Sequence, residues 1–369
     1  MKKLQVLIIA FLISLSICAL ASMQVKAQTV NLSKFVFSTI SSPQTAGSSF
    51  SITITAEASN GKTVTSYTGT NTLTVSSGTI SPTSTTAFVA GVWTGSVTLS
   101  QAGTGISIST SGGGKSGTSN TLTVNLGAID HFVFNTVSTQ TAGKAFSITI
   151  TAKDSSGNTV TGYIGTNTLS VSTGTISPTI SGAFSKGVWT GSVTVTWAGS
   201  GVTLSTSGSS KTGTSGSFTV NPGVLDHFTF STISSPQIGG VPFSITVNAL
   251  DAYGNTVTGY DGTLALSVST GTISPTITGP LSSSVWTGVV TVTAAGSSVN
   301  ITATDGSHTG KSNSFTVNPA IFASAGAGGS ISPTGTVSVN YGGSQNFTIT
   351  ASTGYYIANV FADNVSLGA

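Results

Sequence analysis

Arginine is absent from this chain of 369 residues, and cysteine and glutamate each occur once, as Cys18 and Glu57. Without guanidinium forks the chain lacks the bidentate grip by which proteins read phosphates and base edges, so nucleic acid is not expected as a partner. A lone cysteine forms no internal disulfide. One glutamate and seven aspartates scattered over joints and turns offer no convergent carboxylate pair for glycoside hydrolysis. The three histidines, His131, His227 and His308, are too far apart in sequence to suggest a zinc site. No catalytic, cofactor-binding or metal-ligating residue is therefore assigned, and no cofactor is expected.

Charge is scarce as well: Asp, Glu and Lys make up 5% of the residues. The formal excess of +3 equals the contribution of Lys2, Lys3 and Lys26, which lie in a segment read as a secretory signal peptide over residues 1–27. Lys2 and Lys3 precede an apolar run from Leu4 to Leu20, and small residues follow at Ala21 and Ala27. Cleavage after Ala27, leaving Gln28 first, is preferred over cleavage after Ala21. Acylation at Cys18 is disfavoured by the large Ile17 before it. The expected product is secreted, with eight lysines balancing eight acids and no membrane span apart from the signal peptide.

What the chain does have is 46 glycines, abundant Ser and Thr, and an orderly placement of Val, Ile and Phe. In "FSITIT", Phe146, Ile148 and Ile150 share one face and Ser147, Thr149 and Thr151 the other, the period-2 pattern of a strand with one wet side. Disordered chains lack such patterning. No window carries a helical period.

The chain also repeats itself. "GVWTGSVTL" at 91–99 returns as "GVWTGSVTV" at 187–195 and "SVWTGVVTV" at 284–292. Trp93, Trp189 and Trp286 are 96 and 97 residues apart, and Phe37, Phe134 and Phe230 are 97 and 96 apart. A period of this size is too long for a solenoid and fits a duplicated sandwich of about 100 residues. In the second copy strands are predicted over 131–137, 145–154, 166–172, 187–195, 201–207 and 215–221, separated by Gly, Pro, Asn and Ser clusters.

The run "AKDSSGNTVTGYIGTNTLSVSTGTISP", followed by "GVWTGSVTV", "AGSGVTLSTS" and "SFTVNPG", resembles the Ig-like repeats of bacterial and archaeal secreted surface proteins, the invasin-type modules among them. The resemblance covers residues 31–319. Beyond Pro319, Gly354-Tyr355-Tyr356-Ile357-Ala358-Asn359-Val360 and Asp363-Asn364-Val365-Ser366-Leu367-Gly368 are similar to elements of a bacterial repeat domain related to divergent internalin-type B repeats. The expected fold is all-β: tandem immunoglobulin-like β-sandwiches over 28–126, 127–222 and 223–319, with a truncated small β domain over 320–369. The function this implies is a non-catalytic stalk at the cell surface, a monomeric rod serving adhesion or display. Its partner would be a glycan or protein reached through loops such as 84–90, 180–186 and 277–283. The alternative is a set of accessory modules from a larger secreted enzyme.

Three groups of residues have competing readings. Each repeated Trp is read as a core anchor with room above the following Gly, rather than a sugar platform; Trp197, found in the second copy alone, is the better candidate for a surface contact, though a core-edge position is the preferred reading for it. Asp130-His131 and Asp226-His227 suggest half of a hydrolase triad, but neighbours on a strand point apart and the first copy has Ser33-Lys34 instead. Asp154 and Asp251 open D-x-x-G-N turns, where an Asx-turn accounts for them; Asp261 could join Asp251 around calcium in one repeat only. The first copy writes "AEASNGKTV" at that turn, which counts against a shared site. Sequons stand at Asn31, Asn300, Asn346 and Asn364.

Overall fold

The structure, a computed structural model, describes residues 30–369. The signal peptide, its cleavage sites and Cys18 lie outside those residues. Among the described residues there is no helix, hence none long and apolar enough to cross a membrane. Two compact units are distinguished. The first holds the chain through His131 together with Thr151–Ile164 and Phe184–Val188; the second holds Phe132–Ile150, Gly165–Ala183 and Trp189–Ala369.

The first unit contains a complete sandwich. Its strands are β1 (Lys34–Phe37), β2 (Gln44–Thr45), β3 (Ser49–Glu57), β4 (Thr72–Val75), β5 (Ile80–Ser81), β6 (Val92–Leu99), β7 (Gly103–Ile106), β8 (Ile108–Gly112), β9 (Lys115–Thr118) and β10 (Leu122–Asn125). One sheet runs β1-β3-β6-β5, and the opposing strands form β2-β10-β7 and β4-β8-β9. Pairing is antiparallel except between β2 and β10. Alternation does the sorting: Ile52, Ile54 and Ala56 of β3 enter the core while Ser51, Thr53 and Thr55 face outward. Across β6 the outward face carries a hydroxyl pair, Thr53 to Thr94 at 2.9 Å. Burying each Ile side chain contributes roughly 1.5–3 kcal/mol, so a dozen such positions hold the sandwich without a disulfide.

Trp93 sits inside this core at 6% exposure, its indole N–H donating to Thr86 Oγ1 at 3.0 Å. The ring lies over Gly95, where a Cβ would come within 2.2 Å of Trp93 Cζ2. Gly191 under Trp189 and Gly288 under Trp286 repeat the arrangement, at 2.2 and 2.1 Å. The thrice-written motif is thus a packing device in which glycine vacates the volume the indole fills.

The same three sheet orders recur for the strands of 129–221 and of 225–318. In the second unit the core of the last sandwich is built from Phe228, Ile245, Val247, Leu264, Val290, Ile301 and Phe315, with Trp286 packed against it. One prediction needs correcting. The expected strand over 201–207 is two strands, Gly199–Val202 and Leu204–Gly208, in different sheets. The first pairs with Phe218–Asn221 through a register shift between Gly199 and Val202. The second forms a hairpin with Lys211–Thr214 across Ser209-Ser210, both at positive φ, the backbone twist that tight hairpins require. A bulge lets the chain change sheets without breaking its apolar run, so the hydrophobic pattern alone does not reveal it. Residues 320–369 add three two-stranded ribbons: Ala320–Ala323 with Gly335–Ser338, Gly329–Ser332 with Thr348–Ala351, and Val360–Ala362 with Val365–Gly368.

Candidate functional site

The most elaborate polar chemistry lies at the D-x-x-G-N turns. Period-2 alternation carries Ile148, Ile150 and Ala152 inward along the strand Ala145–Asp154, and the next inward position is Asp154 itself. The carboxylate is consequently fully buried, and Asp251 is buried in the same way after Ile245, Val247 and Ala249. A buried charge must be compensated. Asp251 Oδ1 accepts from the backbone N–H groups of Tyr253 and Asn255, both at 2.9 Å, and Oδ2 from Gly223 N at 2.7 Å. The Asn255 amide reaches both oxygens, at 3.1 and 2.8 Å. Asp154 accepts correspondingly from Ser156, Asn158 and Gly127. Burial pushes both carboxyls upward, but the Asn side chain and the converging N–H groups outweigh it and hold both below the usual range. These oxygens are ringed by N–H donors, an arrangement suited to the carboxylate and opposed to a cation. Among the described residues no group of three His, Cys, Asp or Glu could hold a metal ion.

The turn reaches beyond its own repeat. Asn255 Nδ2 donates to Thr196 O and Ala198 N donates to Asn255 Oδ1, both at 2.8 Å. Asn158 Nδ2 donates to Ser100 O at 2.8 Å, with a longer bond from Ala102 N at 3.4 Å. Thr196 and Ser100 both directly follow the Trp-bearing strand of the preceding repeat. The linker glycines Gly127 and Gly223 are squeezed between these carboxylates and the carbonyls of Ala46 and Ala142. The turn tips also lie close on the preceding repeat: a Cβ on Gly143 would meet the Tyr253 ring at 2.1 Å, and one on Gly47 the hydroxyls of Ser155 and Ser156 at 2.8 Å.

An Asx-turn is therefore only part of what these aspartates do. The first repeat forms the same turn, with Ala58 N donating to Lys62 O and Gly61 N to Ala58 O, although Ala58 and Lys62 stand where the later copies have Asp and Asn. The turn forms without the pair; where the pair is present, its Asn side chain also bonds the preceding repeat. The signal was legible in the departure that had counted against a shared site.

Other candidates come out differently from expectation. Asp226 and His227 do meet, Oδ2 to Nδ1 at 2.9 Å, and Asp130 and His131 at 3.0 Å. The reason in the third repeat is a register shift between Leu225 and His227, which leaves Asp226 as an extra residue and cancels the strict alternation. Both pairs are substantially solvent-exposed, where such contacts contribute little stability. His308 is not solitary either: its Nδ1 lies 3.1 Å from Asp305 Oδ2. Burial raises the Asp305 carboxyl, but N–H donors from His308 and Ser307 and the His308 side chain lower it to about 2. In the loops proposed for ligand contact, Phe88, Phe184 and Leu281 turn into the core, leaving Val89, Ile180 and Ile277 exposed. Of the sequon asparagines, Asn31, Asn346 and Asn364 are exposed and Asn300 is half-buried. Trp197 stands 53% exposed, in contrast to Trp93 and Trp189.

No protein-family model matches the chain, and no curated protein matches it. Among solved structures it is similar to the Escherichia coli adhesin FdeC at 18% identity, covering 78% of this chain and 96% of that one with a TM-score of 0.30. Similarity to invasin, a bacterial integrin-binding protein, is at 16% identity over 78% of this chain and 60% of that one, with a TM-score of 0.29. The S-layer protein SbsC is similar at 18% identity over 82% and 42%, with a TM-score of 0.24. The chain spans about three fifths of the invasin structure. The tandem β-sandwich architecture follows from the sheet orders themselves.

Proposed function

We propose that this protein is a secreted, non-catalytic stalk at the cell surface, whose Ig-like repeats occupy 28–126, 127–222 and 223–319 and whose joints are stiffened by the Asp-Asn turns. One observation carries the reading: the Asn side chain of the turn bonds the preceding repeat at both joints between the three sandwiches, Asn158 to Ser100 and Asn255 to Thr196. A chain of independent beads has no use for buried carboxylates at its joints, whereas a spacer that must hold its domains at fixed attitude does. Neutral, hydroxyl-bearing outer faces such as the Thr53–Thr94, Thr149–Thr190 and Thr246–Thr287 pairs suit an exposed extracellular surface. Residues 320–369 are read as part of a small repeat domain of the internalin-related kind.

The test is labelling of intact cells of the source organism with antibody against residues 30–319. Staining of intact cells that is removed by external protease is expected. Staining that needs permeabilised cells would overturn the reading. The reading as accessory binding modules gains support at one place, Trp197.

A further inference from the structure

The geometry points to a binding site for a neutral pyranoside oligosaccharide in the groove beside Trp197, where the second and third repeats meet. The groove has a volume of about 450 Å³, within the range of small-ligand sites, roughly 300–1,000 Å³. Its aromatic wall is Trp197; hydroxyls come from Ser200, Thr219, Thr256 and Thr258, and Asn255 and Gly254 of the clamp close one side. Both walls are thus held in register by the joint itself.

Trp197 is held but not covered. Its Cβ packs so closely on Gly174 that a Cβ there would come within 2.4 Å, and its indole Nε1 lies 3.5 Å from where a Gly199 Cβ would stand. The Cβ contact recurs with Gly78 against Gln101 and Gly271 against Ala294, so it fixes the backbone at this position, while the indole beyond it, in ordinary contact with Gly199, remains half in solvent. The corresponding residues are Gln101 in the first repeat and Ala294 in the third, so neither sandwich packing nor the turn beside it requires the ring. An indole presents a large apolar face and one polar N–H, the chemistry of a stacking contact.

The lining selects the chemistry. No Asp, Glu, Lys or His borders the groove, so nothing there would compensate a charged ligand. Hydroxyls that both donate and accept match the vicinal hydroxyls of a sugar, and the flat indole matches the C–H face of a pyranose ring. The proposal rests on the clamped joint but not on where the protein is displayed.

The experiment is a titration of the full chain, ¹⁵N-labelled, with cellotetraose, chitotetraose and mannotetraose, following the indole N–H resonances of the four tryptophans. Trp197→Gln identifies its resonance and places at 197 the residue the first repeat carries. The expected result is a saturable shift of the Trp197 signal with at least one sugar, with dissociation constants on the order of millimolar. Affinity should fall at least about tenfold in Trp197→Gln while the thermal midpoint stays unchanged. A charged tetragalacturonate should bind less well. No shift with any of the three neutral sugars, or binding undiminished in Trp197→Gln, would overturn the site. Either failure leaves the clamp and the stalk standing, because neither depends on Trp197.

Discussion

Replacing Asn255 by Ala removes two bonds to the preceding repeat, to Thr196 O and from Ala198 N, each at 2.8 Å, and the side-chain donor to Asp251. A neutral hydrogen bond contributes about 1 kcal/mol net. The two bonds across the joint therefore amount to about 2 kcal/mol, with the freed groups at the groove rim able to take up water. The Asp251 carboxylate keeps its three backbone donors from Gly223, Tyr253 and Asn255, so the turn should survive. A joint weakened by about 2 kcal/mol opens about 30-fold more often. Native-state hydrogen exchange in the full chain measures this directly: the Gly223 amide, whose bond to Asp251 Oδ2 is kept, should exchange about 30-fold faster. Those of Ile245 and Val247, deep in the third sandwich, should keep their rates. A change of less than about threefold at the joint would refute the assigned strength. Equal acceleration of joint and core would show that Asn255 supports the sandwich and not the joint.

Two further outcomes follow from the packing and the charges. Gly191→Ala places a methyl 2.2 Å from Trp189 Cζ2, an overpacking costing about 2 kcal/mol, and calorimetry should show the second repeat melting about 10 °C lower while the others hold. Asp305 sits at about 2, below its unfolded value of 3.8, and Asp154 and Asp251 are shifted the same way. Their stabilisation is present above the unfolded value and is lost as pH falls through the folded values. Urea denaturation should therefore be level from pH 7 to about 5 and weaken below about 4; Asp305→Asn should lessen that dependence, and an unchanged acid slope would contradict the assignment.

How much of this could be read from the sequence depended on whether a feature was periodic. Ile148 and Ile150 alternate, and the strand is where alternation puts it. The tryptophan motif recurs with its glycine two residues on, and both the burial of Trp189 and the space over Gly191 match that spacing. What escaped involves a broken period or a partner distant in the chain. The sheet change at Thr203 and the meeting of Asp226 with His227 each depend on a register shift, which adds or drops one residue without altering composition. The bond from Asn255 to Thr196 spans 59 residues, and no local pattern announces it. Comparison between copies could have, since Asp and Asn four residues apart occur at 154 and 158 and at 251 and 255, against Ala58 and Lys62.

The central claim is that the joints are held by these turns. Electron-electron distance measurement between spin labels at Ser170 and Ser267, both exposed and each changed to Cys in a Cys18→Ser background, addresses it in the second joint. The account predicts a narrow distance distribution that broadens when Asp251 and Asn255 are replaced by Ala and Lys, the residues of the first repeat. A distribution already broad in the parent chain, or equally narrow after the replacement, would contradict it.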